Sequence, residues 1–460
     1  MIAAYHAFLA SKQARVTPHG LAARLTPDAP LFPFQMRVTQ WAIEQGRAAL
    51  WLDTGLGKTR CQLLWAQHVV EQAGDCLILA PLSVGPQTAR EAGRIGIDAQ
   101  YIRDPGQIRP GITITNYERL HLLPLARFCG VVLDESSILK AIDGKTRLAL
   151  TEACAHIPYR LCCTATPAPN DHMELANHAE FLGVMTRQEM LSTYFTHDGG
   201  ATSQWRLKGH AVDHFWRWVA SWAVALTHPS ALGDTTPGYD LQPLTIHDHV
   251  LPMEGYIAGV SLFPMEANTL TEQRIAKRAG LGQRIASIAR HVNNSMESWV
   301  LWCGLNDEGD ALEASIPGSI QIAGKDTLEA KESRMEAFLH GQARVLISKV
   351  GICGFGINMQ HCAHVGFVGL SHSFEQYYQA IRRCWRFGQT RPVHVHRWYL
   401  DIEAPIVRNL TKKEAESEEM KRSMERHLLQ FFTIAERERH TPSIPLQLPA
   451  WLKEESYAGV

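Results

Sequence analysis

Between an apolar run at residues 48–52 and a stretch of helical length at 58–72, the chain reads Asp53-Thr-Gly-Leu-Gly-Lys-Thr59. Such residues can cradle phosphate. Glycines let backbone N–H groups approach phosphate oxygens, and the start of a helix favours their negative charge. Thr54, Gly55 and Gly57 would line the cradle, Lys58 would reach the β and γ phosphates of a nucleotide, and Thr59 would offer its hydroxyl to Mg²⁺. The strict phosphate-loop pattern wants glycine where Leu52 stands, so this is the shorter Gly-x-Gly-Lys-Thr form.

A second constellation is Val131-Val-Leu-Asp-Glu135, an apolar run that ends in adjacent carboxylates. Asp134 suits holding Mg²⁺, and Glu135 suits positioning and deprotonating an attacking water. Alone, such a pair could equally be an acid-capped turn. Its place downstream of a phosphate cradle favours the chemical role. A third is Gln379-Ala-Ile-Arg-Arg-Cys-Trp-Arg-Phe-Gly-Gln389, where Arg383 and Arg386 stand three residues apart. On a helix they share a face. They could then point together across a cleft and stabilise charge developing on a γ-phosphate.

Parallel sheets with crossover helices would position these groups. Candidate strands at 48–52, 76–80, 112–115, 131–134 and 160–164 alternate with helical segments, the mark of an α/β layer. The same alternation returns at 299–303, 319–322, 345–348, 364–368 and 393–398. Ligands of open α/β sheets bind at the carboxyl ends of strands. Residues 171–229 read as helices rich in tryptophan (Trp205, Trp216, Trp218 and Trp222), more consistent with packing than with base stacking. Gly and Pro at 233–243 read as a linker. The segment from Thr411 to Arg422 mixes charges among good helix formers and reads as a solvated helix.

Length and composition agree with this division. The 460 residues exceed one ordinary core, and 45% hydrophobic with 20% charged residues is the balance of a folded globular chain. No apolar run approaches the roughly 20 residues of a membrane-spanning helix, and the N-terminus lacks a secretory pattern. A cytoplasmic protein is expected. The formal charge of −1 excludes a uniformly basic nucleic-acid coat, so any such binding is local. Ten cysteines without a C-x-x-C pair argue against zinc ligation and a disulfide framework.

In order along residues 31–399, the motifs resemble those of superfamily-two helicases, and within them the Swi/Snf-like branch of short bacterial and bacteriophage members. Phe34-Gln35 resembles the adenine-reading glutamine motif, and Asp53 to Thr59 motif I. Ala80-Pro-Leu-Ser-Val84 and Thr115-Asn-Tyr-Glu118 resemble DNA-contacting motifs. Asp134-Glu-Ser-Ser137 stands at motif II, Thr164-Ala-Thr-Pro167 with Asn170 at motif III, Gly354-Phe-Gly-Ile-Asn358 at motif V, and Gln379 to Gln389 at motif VI. Motif II ends in Ser136-Ser137 where relatives commonly carry Ala-His or Ala-Asp.

The resemblance implies an α/β fold of two tandem RecA-like lobes, with a helical insertion and a helical C-terminal tail. Expected boundaries are a first lobe at 1–170, its Trp-rich helical extension at 171–232, a linker at 233–250, a second lobe at 251–405 and a charged tail at 406–460. It further implies ATP and Mg²⁺, with Gln35, Gly356 and Gln379 added to the nucleotide contacts. The implied partner is DNA, duplex rather than RNA, bound by a monomer. Strand separation on DNA or RNA remains open as an alternative, as does a nucleotide-gated DNA-binding module with vestigial hydrolysis.

Overall fold

The structure is a computed structural model. It describes residues 20–434 except 23, 83, 141–144, 169–171, 198–204, 253–277, 279 and 354–357. Two separate parallel sheets organise the described chain. The first is built from β1 (Arg47–Leu52), β2 (Cys76–Ala80), β3 (Ala99–Tyr101), β4 (Ile112–Asn116), β5 (Gly130–Asp134), β6 (Tyr159–Cys163) and β9 (Ala223–Leu226), in the order β3-β4-β2-β5-β6-β1-β9. A small antiparallel pair, β7 (Phe195–His197) and β8 (Trp205–Leu207), stands apart from it. The second is built from β10 (Leu244–Leu251), β11 (Trp299–Cys303), β12 (Ser319–Ile322), β13 (Val345–Lys349), β14 (His364–Phe367) and β15 (Val393–Leu400), in the order β10-β15-β14-β11-β13-β12. These are the two RecA-like lobes, with helices on both faces of each sheet.

Burial on both faces explains why the central strands read as unbroken apolar runs. In β1, Ala49 and Trp51 enter one core while Ala48, Leu50 and Leu52 enter the other. In β11, Val300 and Trp302 face one core and Trp299, Leu301 and Cys303 the opposite one. The tryptophans of the extension pack as expected, since Trp216, Trp218 and Trp222 all lie in the first lobe's core.

Two stretches differ from expectation. The Trp-rich extension is not purely helical, because it holds β7, β8 and β9, and β9 pairs in parallel with β1 as the edge of the first sheet. Four residues between aromatic segments are too few to show a period. The expected linker is also shorter, since residues 244–251 form β10 and pair along their whole length with β15. Histidine and aspartate at alternate positions of an edge strand gave it no apolar signature.

The tail helix (Ala404–Ile434) is not simply solvated. Ile406 and Leu410 belong to the second lobe's core, whereas Met420 and Met424 belong to the first lobe's. Glu425 fixes the distal part by accepting from the Thr227 backbone N–H at 2.8 Å and from its hydroxyl. One helix therefore spans both lobes. No helix among the described residues is long and apolar enough to cross a membrane.

Candidate nucleotide cleft between the lobes

The end of β1 runs into a loop that only glycine can shape. Gly55 and Gly57 have φ of 94° and 82°, in the left-handed region that strains other residues, and Gly57 caps the helix Lys58–Gln72. Space requires them too. A Cβ on Gly57 would lie 2.2 Å from the Gln35 amide nitrogen, and one on Gly55 would lie 3.1 Å from the Phe387 backbone nitrogen of the second lobe. Gln35 is buried and donates to the Leu56 carbonyl at 2.9 Å, so it braces the loop from behind.

Lys58 Nζ donates to the Leu52 carbonyl at 2.9 Å. Burial pulls its ammonium below the usual value, while Glu135, Asp53 and Asp134 oppose that shift. A lysine held beside three carboxylates at a helix start is poised for an anion.

At the end of β5, Asp134 is 4% exposed and accepts from Gln62 Nε2 at 3.1 Å. Burial raises its carboxyl to about 6, with repulsion from Glu135 adding to the shift. Glu135 is the only non-glycine residue with positive φ among the described residues, at 57°. Such backbone strain concentrates at functional sites. Its carboxylate accepts from Thr164 Oγ1 at 3.3 Å, and the same Oγ1 accepts from the Thr166 backbone N–H at 3.2 Å, joining motif III to motif II.

The second lobe supplies the facing wall. The helix Phe374–Ile381 stops at Ile381, and Arg383 and Arg386 lie in the turns that follow. Their expected placement on a shared helix face is therefore corrected. Backbone bonds tighten from Arg382 N→Tyr378 O to Arg383 N→Ala380 O and Cys384 N→Ile381 O, and Gly388 with φ of 89° completes the reversal. A short turn followed by glycine has no helix to continue. Both arginines still reach the cleft. Burial opposes the charge on Arg383 while Glu135 and Asp134 favour it, and Arg386 is disfavoured by burial and by Arg383 and Arg382. Gln379 is buried, and neither its amide nitrogen nor its oxygen has a partner among the described residues.

Several interlobe residues carried no signal in the sequence. Asp53 is contacted by three groups from beyond the first lobe. Arg382 pairs with it at 3.1 Å and also donates to the Thr54 carbonyl at 2.9 Å, Tyr378 donates its hydroxyl to it, and Lys421 of the tail helix stands 3.8 Å away. Arg382 and Lys421 hold the Asp53 carboxyl down at about 2 against the opposing effect of burial. Motif II makes a second tie, since Ser137 donates to Glu375 at 2.6 Å and Lys140 pairs with the same carboxylate. Ser136 meets His178 Nε2 at 3.1 Å. An ionised carboxylate and its partners from distant segments are recognisable only once the chain has folded.

Asp53→Asn keeps the shape and removes the charge, leaving Arg382 without its anion. Removing one partner of a buried pair costs about 3–5 kcal/mol. The expected result is weakened lobe closure, seen as a larger radius of gyration in X-ray scattering and a lower melting midpoint. An unchanged radius with a wild-type midpoint would show that Asp53 does not hold the lobes together.

Beside this latch, a cavity of about 620 Å³ is lined by Asp53, Thr54, Tyr239, Arg382, Trp385 and Phe387 among others. It does not extend over Lys58 or Asp134, because Lys58 turns back to β1 and the Phe387 turn sits against Gly55. Gly356, the motif V glycine, and Asn170 of motif III lie outside the described residues.

Residues 315–388 match the family model described as "Helicase conserved C-terminal domain", spanning the segment from β12 to the Arg386 turn. A 120-residue stretch is 31% identical to the human "ATP-dependent DNA helicase Q4", covering 22% of this chain. The chain spans only 10% of that relative's length. Among solved structures, the "Sulfolobus solfataricus SWI2/SNF2 ATPase core in complex with dsDNA" aligns over 90% of this chain and 97% of its own, at 18% identity and a TM-score of 0.42. The second of the two lobes thus carries a segment that matches the conserved C-terminal domain of helicases.

Proposed function

We propose that this protein is a double-stranded DNA translocase of the Swi/Snf-like branch that hydrolyses ATP between its lobes. The observation that carries the reading is that Arg383 of the second lobe faces the Asp134 and Glu135 carboxylates that Lys58 also faces in the first, while the Arg386 turn packs against Gly55 of the cradle and buried Gln379 stands four residues before Arg383. A site divided in this way works only when the lobes are together, so hydrolysis and lobe movement are coupled.

The residues fit a nucleotide and a divalent ion. The unpartnered amide of buried Gln379 offers polar atoms to a ligand, and a cation would relieve the repulsion that raises Asp134. Asp134 and Thr59 would hold Mg²⁺, which neutralises phosphate charge when bound. Gly55 and Gly57 would direct backbone donors at the phosphates, and Thr54, whose N–H is given to the Asp53 carboxylate at 2.7 Å, lines the cradle. Lys58 binds β and γ oxygens, Glu135 orients and deprotonates water, and Arg383 and Arg386 stabilise charge on the transferred group. Gln35 supports the cradle through the Leu56 carbonyl and, by its place in the adenine-reading motif, belongs with the nucleotide contacts. Gly356 belongs with the nucleotide contacts by its place in motif V.

DNA would lie across both lobes, held through phosphates, with weak sequence preference and strong salt dependence. A motor following one strand of intact duplex displaces a third strand from the major groove without melting base pairs. The test compares ATP-dependent release of a triplex-forming oligonucleotide with release of a strand from a forked duplex, alongside turnover with duplex DNA, single-stranded DNA and RNA. Triplex displacement, strongest stimulation by duplex and little fork unwinding are expected. Fork unwinding without triplex displacement would replace this reading with strand separation, and turnover indifferent to every nucleic acid would remove the motor.

A further inference from the structure

One face of the second sheet concentrates imidazoles that the cleft does not use. β10 presents His247 and His249, β15 presents His394 and His396, and β14 adds His364. The parallel register sets His247 opposite His396, and His364 opposite His394. Residues two apart on a strand share a face. Asp248 and Arg397 alternate with them, and pair with each other at 2.7 Å on the other side. The helix Leu281–Asn293 brings His291 over the imidazole face, its ring 4.9 Å from that of His396 and 5.2 Å from that of His249. Fully buried Arg284 anchors that helix, donating to the Val368 carbonyl at 3.1 Å and lying 3.6 Å from Glu403.

A ring nitrogen from each of His249, His291 and His396 lies within 4.8 Å of the other two. His249 Nε2 and His396 Nδ1 hydrogen-bond to each other at 3.0 Å, sharing a proton that a bound ion would displace. Imidazole nitrogens bound at ~2.0–2.1 Å to one tetrahedral ion stand about 3.3 Å apart, so this pair already has close to ligand spacing. The widest separation within the three exceeds that by about 1.5 Å. His291 is exposed and can close the gap by a change of side-chain torsion. Hydrogen bonding leaves the cluster incomplete. Buried His396 has no partner for Nε2 among the described residues, and Nδ1 of His364 has none either.

We infer that His249, His291 and His396 form a binding site for a divalent transition-metal ion, with Zn²⁺ the best match. Three imidazoles suit Zn²⁺, Co²⁺, Ni²⁺ or Cu²⁺, whereas Mg²⁺ and Ca²⁺ require oxygen ligands. Water completes the fourth position. The ion ties β10, the strand through which the chain enters the second lobe, to β15 and to the covering helix. It is a structural clamp, distinct from the carboxylate site in the cleft that selects a hard cation.

The test uses the full chain, stripped with chelator, returned to chelator-free and nucleotide-free buffer, and titrated with ZnCl₂ by calorimetry. Uptake of a single equivalent and a raised melting midpoint are expected, and CoCl₂ should give the visible absorption of a tetrahedral nitrogen site. His291→Ala changes an exposed helical residue and should fold normally. It and His249→Ala should each weaken zinc binding by about tenfold or more. Asp134→Asn should leave that binding event intact. No uptake by the wild-type chain, undiminished uptake by folded His291→Ala, or uptake lost in Asp134→Asn would each overturn the site.

Discussion

Lys58→Ala is expected to reduce ATP turnover by at least about 10²–10³-fold while the protein stays folded. In the proposed reading the lysine would contribute a phosphate contact and little packing. In the structure its ammonium makes one hydrogen bond, to the carbonyl of Leu52 at the end of its own strand. Alanine is a good helix former at the start of the helix Lys58–Gln72, so the lost bond should shift stability by no more than about 1 kcal/mol. The positive charge is another matter. Glu135, Asp53 and Asp134 all act on Lys58, and without it a polyphosphate would enter a cleft dominated by carboxylates. Binding and turnover should therefore fall together. Steady-state hydrolysis, equilibrium binding of a fluorescent nucleotide and a thermal melt on the same preparation check this. Near-normal turnover in a folded variant would remove the phosphate-cradle assignment.

How much of this was legible follows the range of the interactions. The loop at 53–59 was readable because its shape is local: two glycines at positive φ turn the chain from β1 into the helix that follows. The central strands were readable because burial on both faces writes an apolar run, as in residues 76–80 and 299–303. β10 was not, because an edge strand with histidine and aspartate at alternating positions has no apolar period to detect. The imidazole face was hidden for the same reason, since it comes into being only when β10 pairs with β15. The Asp53 latch was illegible because its partners, Tyr378, Arg382 and Lys421, stand more than 300 residues away along the chain. Mixed charge in the tail suggested solvent on all sides, yet Met420 and Met424 on that helix enter the first lobe's core. Arg383 and Arg386 fall in the segment of the second lobe that faces the cradle, but their local conformation differs from the expected helix. Their spacing suits a helix, but Gly388 closes a turn there instead.

Arg386→Ala is expected to lower turnover by about 10³-fold or more with a much smaller loss of nucleotide affinity, the pattern of an arginine that acts on the transition state. Among the described residues the Arg386 side chain makes no hydrogen bond or ion pair, and the Arg383 side chain bonds only to the Gln379 carbonyl of its own segment. Neither charge is spent on a protein carboxylate, unlike neighbouring Arg382, which is committed to Asp53. Burial and mutual repulsion make Arg386 costly to keep charged, and an anionic group in the cleft would offset that cost. Arg383→Ala should behave like Arg386→Ala. Arg382→Ala should act differently, loosening lobe closure and weakening nucleotide binding together, because its partners belong to the latch. Single-turnover hydrolysis at saturating nucleotide, set against binding titrations for the three variants, separates these patterns. Equal collapse of affinity and turnover in Arg386→Ala would place that arginine in ground-state binding and remove the coupling of hydrolysis to lobe closure.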